Sequence, residues 1–320
     1  MSPLPILRLP FLVVREILST MRPYELINFF MASKKTGQLM KSYSKTKLQN
    51  KLQCSILIIK DYGVCFTNRK FIWVYTLTSN ESEDGKITTK GEKVEELRKY
   101  TDNKLESLKK ICCCIREIFG FDFDCFDFHM EQDSHQNRLI TDWLKSVQES
   151  VRGAGLHSYE GNQDDLKYFL KNVKITKLLE ISPIVNDNCH IDLPQNLEYL
   201  SIKNANFVKL GQILKMNCKN IILENTNLTN HDAFVFLKKW ISMKWNLNLE
   251  YFQIGVDSPS ISAILQDLPY IFGDDWRFEE RDIINRILNH DKKIIRKDGK
   301  IAQLFFRREF SKMVMEMHVQ

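Results

Sequence analysis

The sequence has few glycines and prolines and lacks the short motifs that mark common enzyme sites. Twelve glycines and eight prolines in 320 residues are too few for a collagen-like or Gly/Pro-rich disordered chain. No G-x-x-x-x-G-K-[ST], G-x-G-x-x-G, G-x-S-x-G or H-E-x-x-H motif occurs, so neither phosphate cradling nor hydrolysis is indicated. The missing motifs lead us to expect a protein without catalytic residues. A hydrophobic content of 43% predicts an ordinary packed core.

The sequence also lacks an apolar run of the roughly 18–20 residues that a membrane helix needs. Its first residues carry no basic segment, and Arg8, Pro10 and Glu16 interrupt the apolar stretch that follows, which is atypical of a secretory signal. We therefore expect a protein of the cytoplasm, the nucleus or both, without membrane association. In that compartment its eight cysteines stay reduced.

The cysteines lack the spacing of a zinc site. Cys112, Cys113 and Cys114 are consecutive, whereas zinc ligands are usually spaced C-x2–4-C so that both thiolates reach one ion. Cys125 and two histidines follow within about twenty residues, so a metal site stays an alternative. The pattern favours small buried side chains, and we predict no metal and no cofactor.

Charge gives little indication of a nucleic-acid or catalytic site. The net charge is +6 and the basic residues form no dense block, which argues against a nucleic-acid partner, although a steep salt dependence of binding would favour one. Asp122, Asp124 and Asp127 lie close together, and paired carboxylates can bind a metal or share a proton. Such clusters are more typical of a loop or an edge strand with its acids in water.

Residues 9–46 carry the pattern of three short helices. Apolar residues recur at three- and four-residue spacing from Val13 to Met21, which predicts one amphipathic helix. Pro23 begins a second helix, because proline suits a first helical turn. Ser33 is a suitable N-cap for a third, from Lys34 to about Lys47.

The middle of the chain alternates between strand and helix patterns. Cys54–Lys60, Val64–Phe66 and Phe71–Tyr75 alternate with turn residues, which predicts a β-meander. The polar segment 79–91 predicts an exposed loop. Apolar spacing predicts two helices beyond it, over 93–119 and 137–151.

Residues 174–256 contain an internal repeat. The pattern L-x-x-L-x-L recurs in four segments that end at Ile181, Ile202, Leu223 and Ile254, at steps of 21, 21 and 31 residues. A period of 20–29 residues is typical of leucine-rich repeats, each of which supplies one short strand to a shared sheet. An ordinary sheet with helices on one face stays the alternative.

The end of the chain returns to strands. Asp298-Gly299 lies between two apolar runs, which predicts a hairpin. Alternating apolar residues from Met313 to Val319 predict a last strand. Together these patterns predict an α+β protein in which a three-helix unit precedes an α/β leucine-rich-repeat-like body.

The first helices resemble an F-box of the type expanded in nematodes. The opening Leu9-Pro10, the Ile17-Leu18 pair and the Pro23-x-x-Leu26 step occur at that family's spacing. The resemblance implies a Skp-type adaptor as partner. It implies contacts to that adaptor from Leu9, Pro10, Ile17, Leu18, Met21, Pro23, Leu26, Ile27 and Phe30. The sequence departs from the family in having Phe11-Leu12 after Leu-Pro, and Gly37 in the third helix where many F-boxes have tryptophan.

A second segment resembles the type-2 F-box-associated domain. The residues concerned are 223–230, 236–241, 249–252 and, at the C-terminal hairpin, 295–302. The two resemblances imply an F-box at 1–48, a linking strand meander with helices at 49–173 and a substrate-recognition region at 174–320. They imply a non-catalytic substrate receptor of an SCF-type ubiquitin ligase, joined through the adaptor to a cullin, with an unidentified protein target. The alternative is an interaction module that uses its F-box for anchoring outside any ligase.

Overall fold

The computed structural model describes residues 6–44, 52–131, 133–158, 162–256, 260–265, 268, 270–272, 292–309 and 312–320. Their contacts divide the chain into two compact units, Met1–His129 and Met130–Gln320. In the described ranges, no helix combines the length and the apolar composition that a membrane crossing requires.

The first unit begins with the three predicted helices, α1 (Phe11–Thr20), α2 (Pro23–Ala32) and α3 (Lys34–Ser44). Each boundary has a local cause. Pro23 occupies the first turn of α2, where the Arg22 backbone N–H donates to the Glu25 carboxylate at 2.7 Å. The Ser33 hydroxyl accepts a bond from the Thr36 backbone N–H at 3.2 Å, which confirms Ser33 as the N-cap of α3. Lys47, the expected end of α3, lies outside the described residues.

A mixed sheet and one long helix complete the first unit. The strands are β1 (Gln53–Ile58), β2 (Tyr62–Thr67), β3 (Ile72–Thr78), β4 (Ile87–Lys90), β5 (Val94–Tyr100) and β6 (Cys125–His129), with α4 (Lys104–Phe119) between the last two. They pair in the order β6-β1-β2-β3-β5-β4. The antiparallel pairing of β1, β2 and β3 confirms the predicted meander, while β6 and β5 are parallel to β1 and β3.

The single helix predicted over 93–119 is wrong in its first third. Residues 94–100 form β5, and α4 begins only at Lys104, where the Asn103 side chain accepts a bond from the Glu106 backbone N–H at 3.0 Å. Charged residues with good helix propensity are held in β5 by partners outside it. Arg98, for example, pairs with Glu83 at 2.7 Å and with Asp61 at 3.5 Å. Tertiary contacts therefore override local propensity.

The predicted loop over 79–91 is also only partly correct, because Glu81–Glu83 form a 3-10 turn and β4 follows from Ile87.

The second unit is built on a larger sheet. Its elements are α5 (Ser134–Val147), β7 (Ser150–His157), α6 (Gln163–Asn172), β8 (Lys174–Ile181), β9 (Tyr199–Ile202), α7 (Leu210–Ile213), β10 (Asn220–Leu223), α8 (Asn230–Ile241), β11 (Tyr251–Val256), α9 (Ile261–Leu265), β12 (Tyr270–Phe272), β13 (Lys292–Ile295), β14 (Ile301–Glu309) and β15 (Lys312–Val319). The helix predicted over 137–151 thus begins earlier, at Ser134, and ends at Val147, and residues 150 and 151 belong to β7.

Strand order in this sheet is β12-β13-β14-β15-β11-β10-β9-β8-β7. The pairs from β7 to β11 are parallel, and those from β11 to β12 are antiparallel. The hairpin around Gly299, which has a φ of +88°, and the last strand β15 confirm the predicted C-terminal end.

Candidate interaction surfaces

Helix α1 presents an apolar surface to solvent. Phe11 is 49% exposed and Leu12 63%, and Leu7, Val13 and Met31 of the same three-helix segment are also exposed. Only Val14 and Leu18, one turn apart, are buried from α1, because one face of a short helix can meet the protein interior. Large apolar side chains clustered at a surface mark interaction sites. We call Leu7, Phe11, Leu12, Val13 and Met31 the apolar patch.

The nine residues predicted to contact an adaptor fall into two classes. Leu18, Pro23, Leu26 and Ile27 are buried within the chain itself. Leu9, Ile17, Met21 and Phe30 are half-buried and Pro10 is exposed, so these five remain accessible. The spacing from Val13 to Met21 does not predict this patch, because it treats those apolar residues as a single face of one helix. Four consecutive apolar residues, Phe11 to Val14, exceed what one helix face can bury, and that was the available signal.

The buried class is covered by the rest of the first unit. Helices α2 and α3 contact α4, and α2 also contacts β3. Polar contacts hold the same interface. The Tyr24 hydroxyl donates to Glu95 at 3.0 Å, the Tyr75 hydroxyl donates to Asn28 at 2.8 Å, and Arg22 pairs with Glu95 at 2.7 Å. Burial, and then the bond to Glu95, raises the pKa of Tyr24 to about 12. These tyrosines therefore stay neutral donors at physiological pH.

The four repeat segments lie side by side in the second unit. Leu179, Leu200, Ile221 and Phe252 occupy one row across β8, β9, β10 and β11, and all four are fully buried. The prediction that these segments are neighbours in a single sheet is confirmed. Phe252 stacks on Phe236 of α8 with ring centroids 3.8 Å apart, so the helical side of the sheet contains the core.

Asparagine side chains connect successive repeats just beyond the strands. Asn204 donates to the Ser182 carbonyl at 2.8 Å, and Asn225, 21 residues later, donates to the Lys203 carbonyl at 3.1 Å. Each bond gives a backbone carbonyl of the preceding turn a side-chain partner. The 21-residue period therefore has a physical counterpart in the loops as well as in the strands.

The opposite face of the sheet carries a cluster of aromatic and charged side chains. The His318 ring lies edge-on to Tyr251 and Phe305, with centroids 4.8 and 5.1 Å away. Glu316 pairs with Arg307 at 2.8 Å and lies 3.5 Å from His318. Burial, and then the Glu316 charge, raises the pKa of Tyr251 to about 12. Half-exposed rings among paired charges form a surface suited to protein contacts.

The acidic and cysteine clusters have structural roles in the described residues. Asp124 accepts a bond from the Cys54 backbone N–H at 3.1 Å, and Asp122 lies 3.4 Å from Arg116. All eight cysteines are free thiols, and burial raises the pKa of Cys112 and Cys54 well above the usual range. Across the described ranges, no three His, Cys, Asp or Glu side chains are grouped to hold a metal ion.

A comparison with known protein families matches a segment that lies within the repeat region. Residues 188–254 match the model of a family described as F-box associated. The chain is also similar to the Skn-1 dependent zygotic transcript 15 protein of Caenorhabditis elegans, with 23% identity over 282 residues that cover 78% of this chain and 80% of that protein. No solved structure matches the chain.

Proposed function

From the premise that this chain carries an F-box associated domain at residues 188–254, we propose that it is the substrate receptor of an SCF-type ubiquitin ligase. Its three N-terminal helices bind a Skp-type adaptor, the adaptor connects it to a cullin, and the second unit binds the target. The chain itself performs no chemistry. It holds the target close to the catalytic subunits, which raises the effective concentration of the reacting groups.

The observation that carries this proposal is the apolar patch in front of the family-matched region. An F-box associated domain accompanies an F-box, and the only segment with F-box spacing in the sequence is 9–30. There α1 exposes Phe11, Leu12 and Val13, and the other two residues of the patch, Leu7 and Met31, lie just outside this segment. Exposed apolar side chains of this kind lower the solubility of a protein unless a partner covers them.

We divide the nine residues predicted to contact the adaptor by their exposure. We propose that the patch contacts the adaptor together with the accessible residues Leu9, Pro10, Ile17, Met21 and Phe30. The buried residues Pro23, Leu26 and Ile27 instead hold α2 against α4 and β3, and the buried Leu18 holds α1 to its unit. Domain limits of 1–48, 49–173 and 174–320 remain part of the proposal.

The decisive variant removes exposed anchors and leaves the core unchanged. The double variant Phe11→Ala/Leu12→Ala is expected to weaken adaptor binding by about 3 kcal/mol, roughly a hundredfold, since a central anchor is worth about 2 kcal/mol and neighbours add incompletely. The affinity is measured by isothermal titration with purified adaptor. The melting temperature of the double variant should barely change, because both substituted side chains are exposed.

Two controls make the result interpretable. Leu139→Ala/Ile184→Ala removes two equally exposed apolar side chains outside the three helices and should bind the adaptor normally. Leu18→Ala removes a residue that is 1% exposed and should lower the melting temperature. Unchanged affinity in a folded Phe11→Ala/Leu12→Ala variant would mean that the patch is not the adaptor site.

Target recognition is assigned to the open face of the second unit's sheet. Tyr251→Ala/Phe305→Ala removes two half-exposed rings that flank His318. In affinity purification with mass spectrometry, the target should be lost from this variant while the adaptor is retained. Loss of both together would indicate that the variant has unfolded, and retention of every captured protein would place the target site elsewhere.

A further inference from the structure

The positive charge of the chain is concentrated at its N-terminal end. Residues 1–51 contain nine Lys and Arg against two Glu, a net charge of +7, whereas the whole chain has +6. The rest of the chain therefore has a net charge of −1. The three helices, within residues 11–44, carry five of these nine cations and both glutamates, and the other four cations flank them in sequence.

Only part of this charge is neutralised within the chain. Arg22 pairs with Glu95 at 2.7 Å and Lys41 with Glu117 at 2.8 Å. Among the described residues, Arg8, Lys34 and Lys35 are exposed and form no ion pair. Arg8 directly follows Leu7 in sequence, and Lys34 and Lys35 come after Met31 with Ala32 and Ser33 between them.

Lys34 and Lys35 occupy a position that is unfavourable for a cation. They are the first two residues of α3, whose first turn contains no acidic side chain. The helix dipole is positive at this end, so it stabilises acidic residues there and disfavours lysine. Two lysines at this place reduce the stability of α3, which is expected where a surface serves binding at the expense of folding.

We infer that the surface that docks on these helices is acidic as well as apolar, and that Lys34 and Lys35 accelerate its association by electrostatic steering. The inference rests on the proposed function, because the Skp-type adaptor is the partner to which it applies. Apolar side chains set how slowly the complex dissociates, while charges at the rim set how fast it forms.

A protein partner fits this surface better than an anionic membrane. A membrane-bound helix needs an apolar face along its whole length. In α1 that face is divided, because Val14 and Leu18 are buried in the protein and Glu16, Ser19 and Thr20 are exposed. The exposed apolar residues are thus confined to the first turn and to neighbouring segments.

The test compares association rates with purified adaptor for the full chain, Lys34→Glu/Lys35→Glu and Lys215→Glu/Lys244→Glu. The control pair changes the net charge equally at exposed lysines of the second unit. At about 50 mM salt the Lys34→Glu/Lys35→Glu variant should associate about tenfold more slowly, with dissociation unchanged. At about 0.5 M salt the difference should disappear through screening. The melting temperature of the Lys34→Glu/Lys35→Glu variant should not fall, because glutamate is stabilised by the helix dipole in the first turn of α3.

The possible outcomes separate the two proposals. Adaptor binding with equal association rates for all three proteins overturns the steering inference and leaves the proposed function intact. A change as large in the control pair also overturns it, since net charge alone would then explain the effect. No adaptor binding by the full chain at low salt overturns both. Binding to phosphatidylserine-containing vesicles but not to the adaptor would assign the surface to lipid, which overturns the inference as well.

Discussion

At the residue scale, two glycines differ in whether the structure has room for a larger side chain. A Cβ on Gly63 would lie 2.3 Å from the Tyr75 carbonyl oxygen, which belongs to the backbone of the neighbouring strand. A Cβ on Gly37 in α3 would lie 3.6 Å from the Phe30 carbonyl oxygen, an ordinary contact. Gly63→Ala should therefore destabilise the protein by about 3 kcal/mol. Gly37→Ala should stabilise it by about 0.5–1 kcal/mol through the unfolded chain.

Urea denaturation of both alanine variants checks this prediction. Equal effects of the two substitutions would contradict it, because only Gly63 is in close contact with backbone. The position of Gly37 inside the predicted third helix was evident from the sequence. The close approach at Gly63 was not, since it depends on the pairing of β2 with β3.

Asp298 gives the protein a stability that depends on pH. Its bonds from the Arg296 guanidinium, at 2.9 and 2.7 Å, hold the pKa of the carboxyl at about 2. A carboxyl whose pKa is lower in the folded state contributes stability above its unfolded pKa of about 3.9 and loses it as the pH falls to the folded value. The contribution is thus present at neutral pH and lost between about pH 4 and pH 2.

The variant Asp298→Asn tests that contribution. It should be less stable than the natural protein at pH 7, and the difference should shrink as the pH is lowered through this window. Melting temperatures at a series of pH values measure it. A difference that stays constant from pH 7 to pH 2 would mean that the Arg296–Asp298 pair is not coupled to folding.

At the element scale, the asparagines that connect successive repeats lead to a prediction about stability. Alanine is usually tolerated better than glycine, and we expect the opposite order at Asn225. Asn225 has a φ of +50° and donates to the Lys203 carbonyl. Asn225→Gly loses the bond but adopts this conformation freely, whereas Asn225→Ala loses the bond and is also strained. The alanine variant should therefore be less stable than the glycine variant by about 1 kcal/mol.

The same comparison at Asn204 provides the control, because that residue is not among those with a positive φ. There alanine should be tolerated at least as well as glycine. Chemical denaturation of the four variants decides the matter. An identical ranking at both positions would show that backbone conformation is not the reason for asparagine at 225.

The elements that could be predicted are those specified by local pattern. Pro23 and Ser33 begin helices through their own chemistry, and Asp298-Gly299 specifies its hairpin. Residues 94–100 could not be assigned correctly, because their strand conformation depends on pairing with β3 and on side-chain partners elsewhere in the chain. Likewise, the pattern identified α1 but not which of its apolar residues the other elements of its unit would leave exposed.

At the scale of the whole molecule, we assign adaptor binding to the first unit and target binding to the second. The repeat pattern, with steps of 21, 21 and 31 residues, correctly predicted that β8, β9, β10 and β11 are neighbours, because each repeat can bury its strand only against the next. The repeat pattern carries no information about the target, because the recognition surface that we propose includes the half-exposed residues Tyr251 and Phe305, which lie on separate strands.

The most direct test of this account is the composition of the complex formed by the purified chain, a Skp-type adaptor and a cullin. Size-exclusion chromatography with light scattering measures it. The account predicts one copy of each protein in a single complex, which is lost for Phe11→Ala/Leu12→Ala and retained for Leu139→Ala/Ile184→Ala. A complex with the adaptor that excludes the cullin would support an interaction module outside any ligase. Elution of the natural chain by itself would contradict the account.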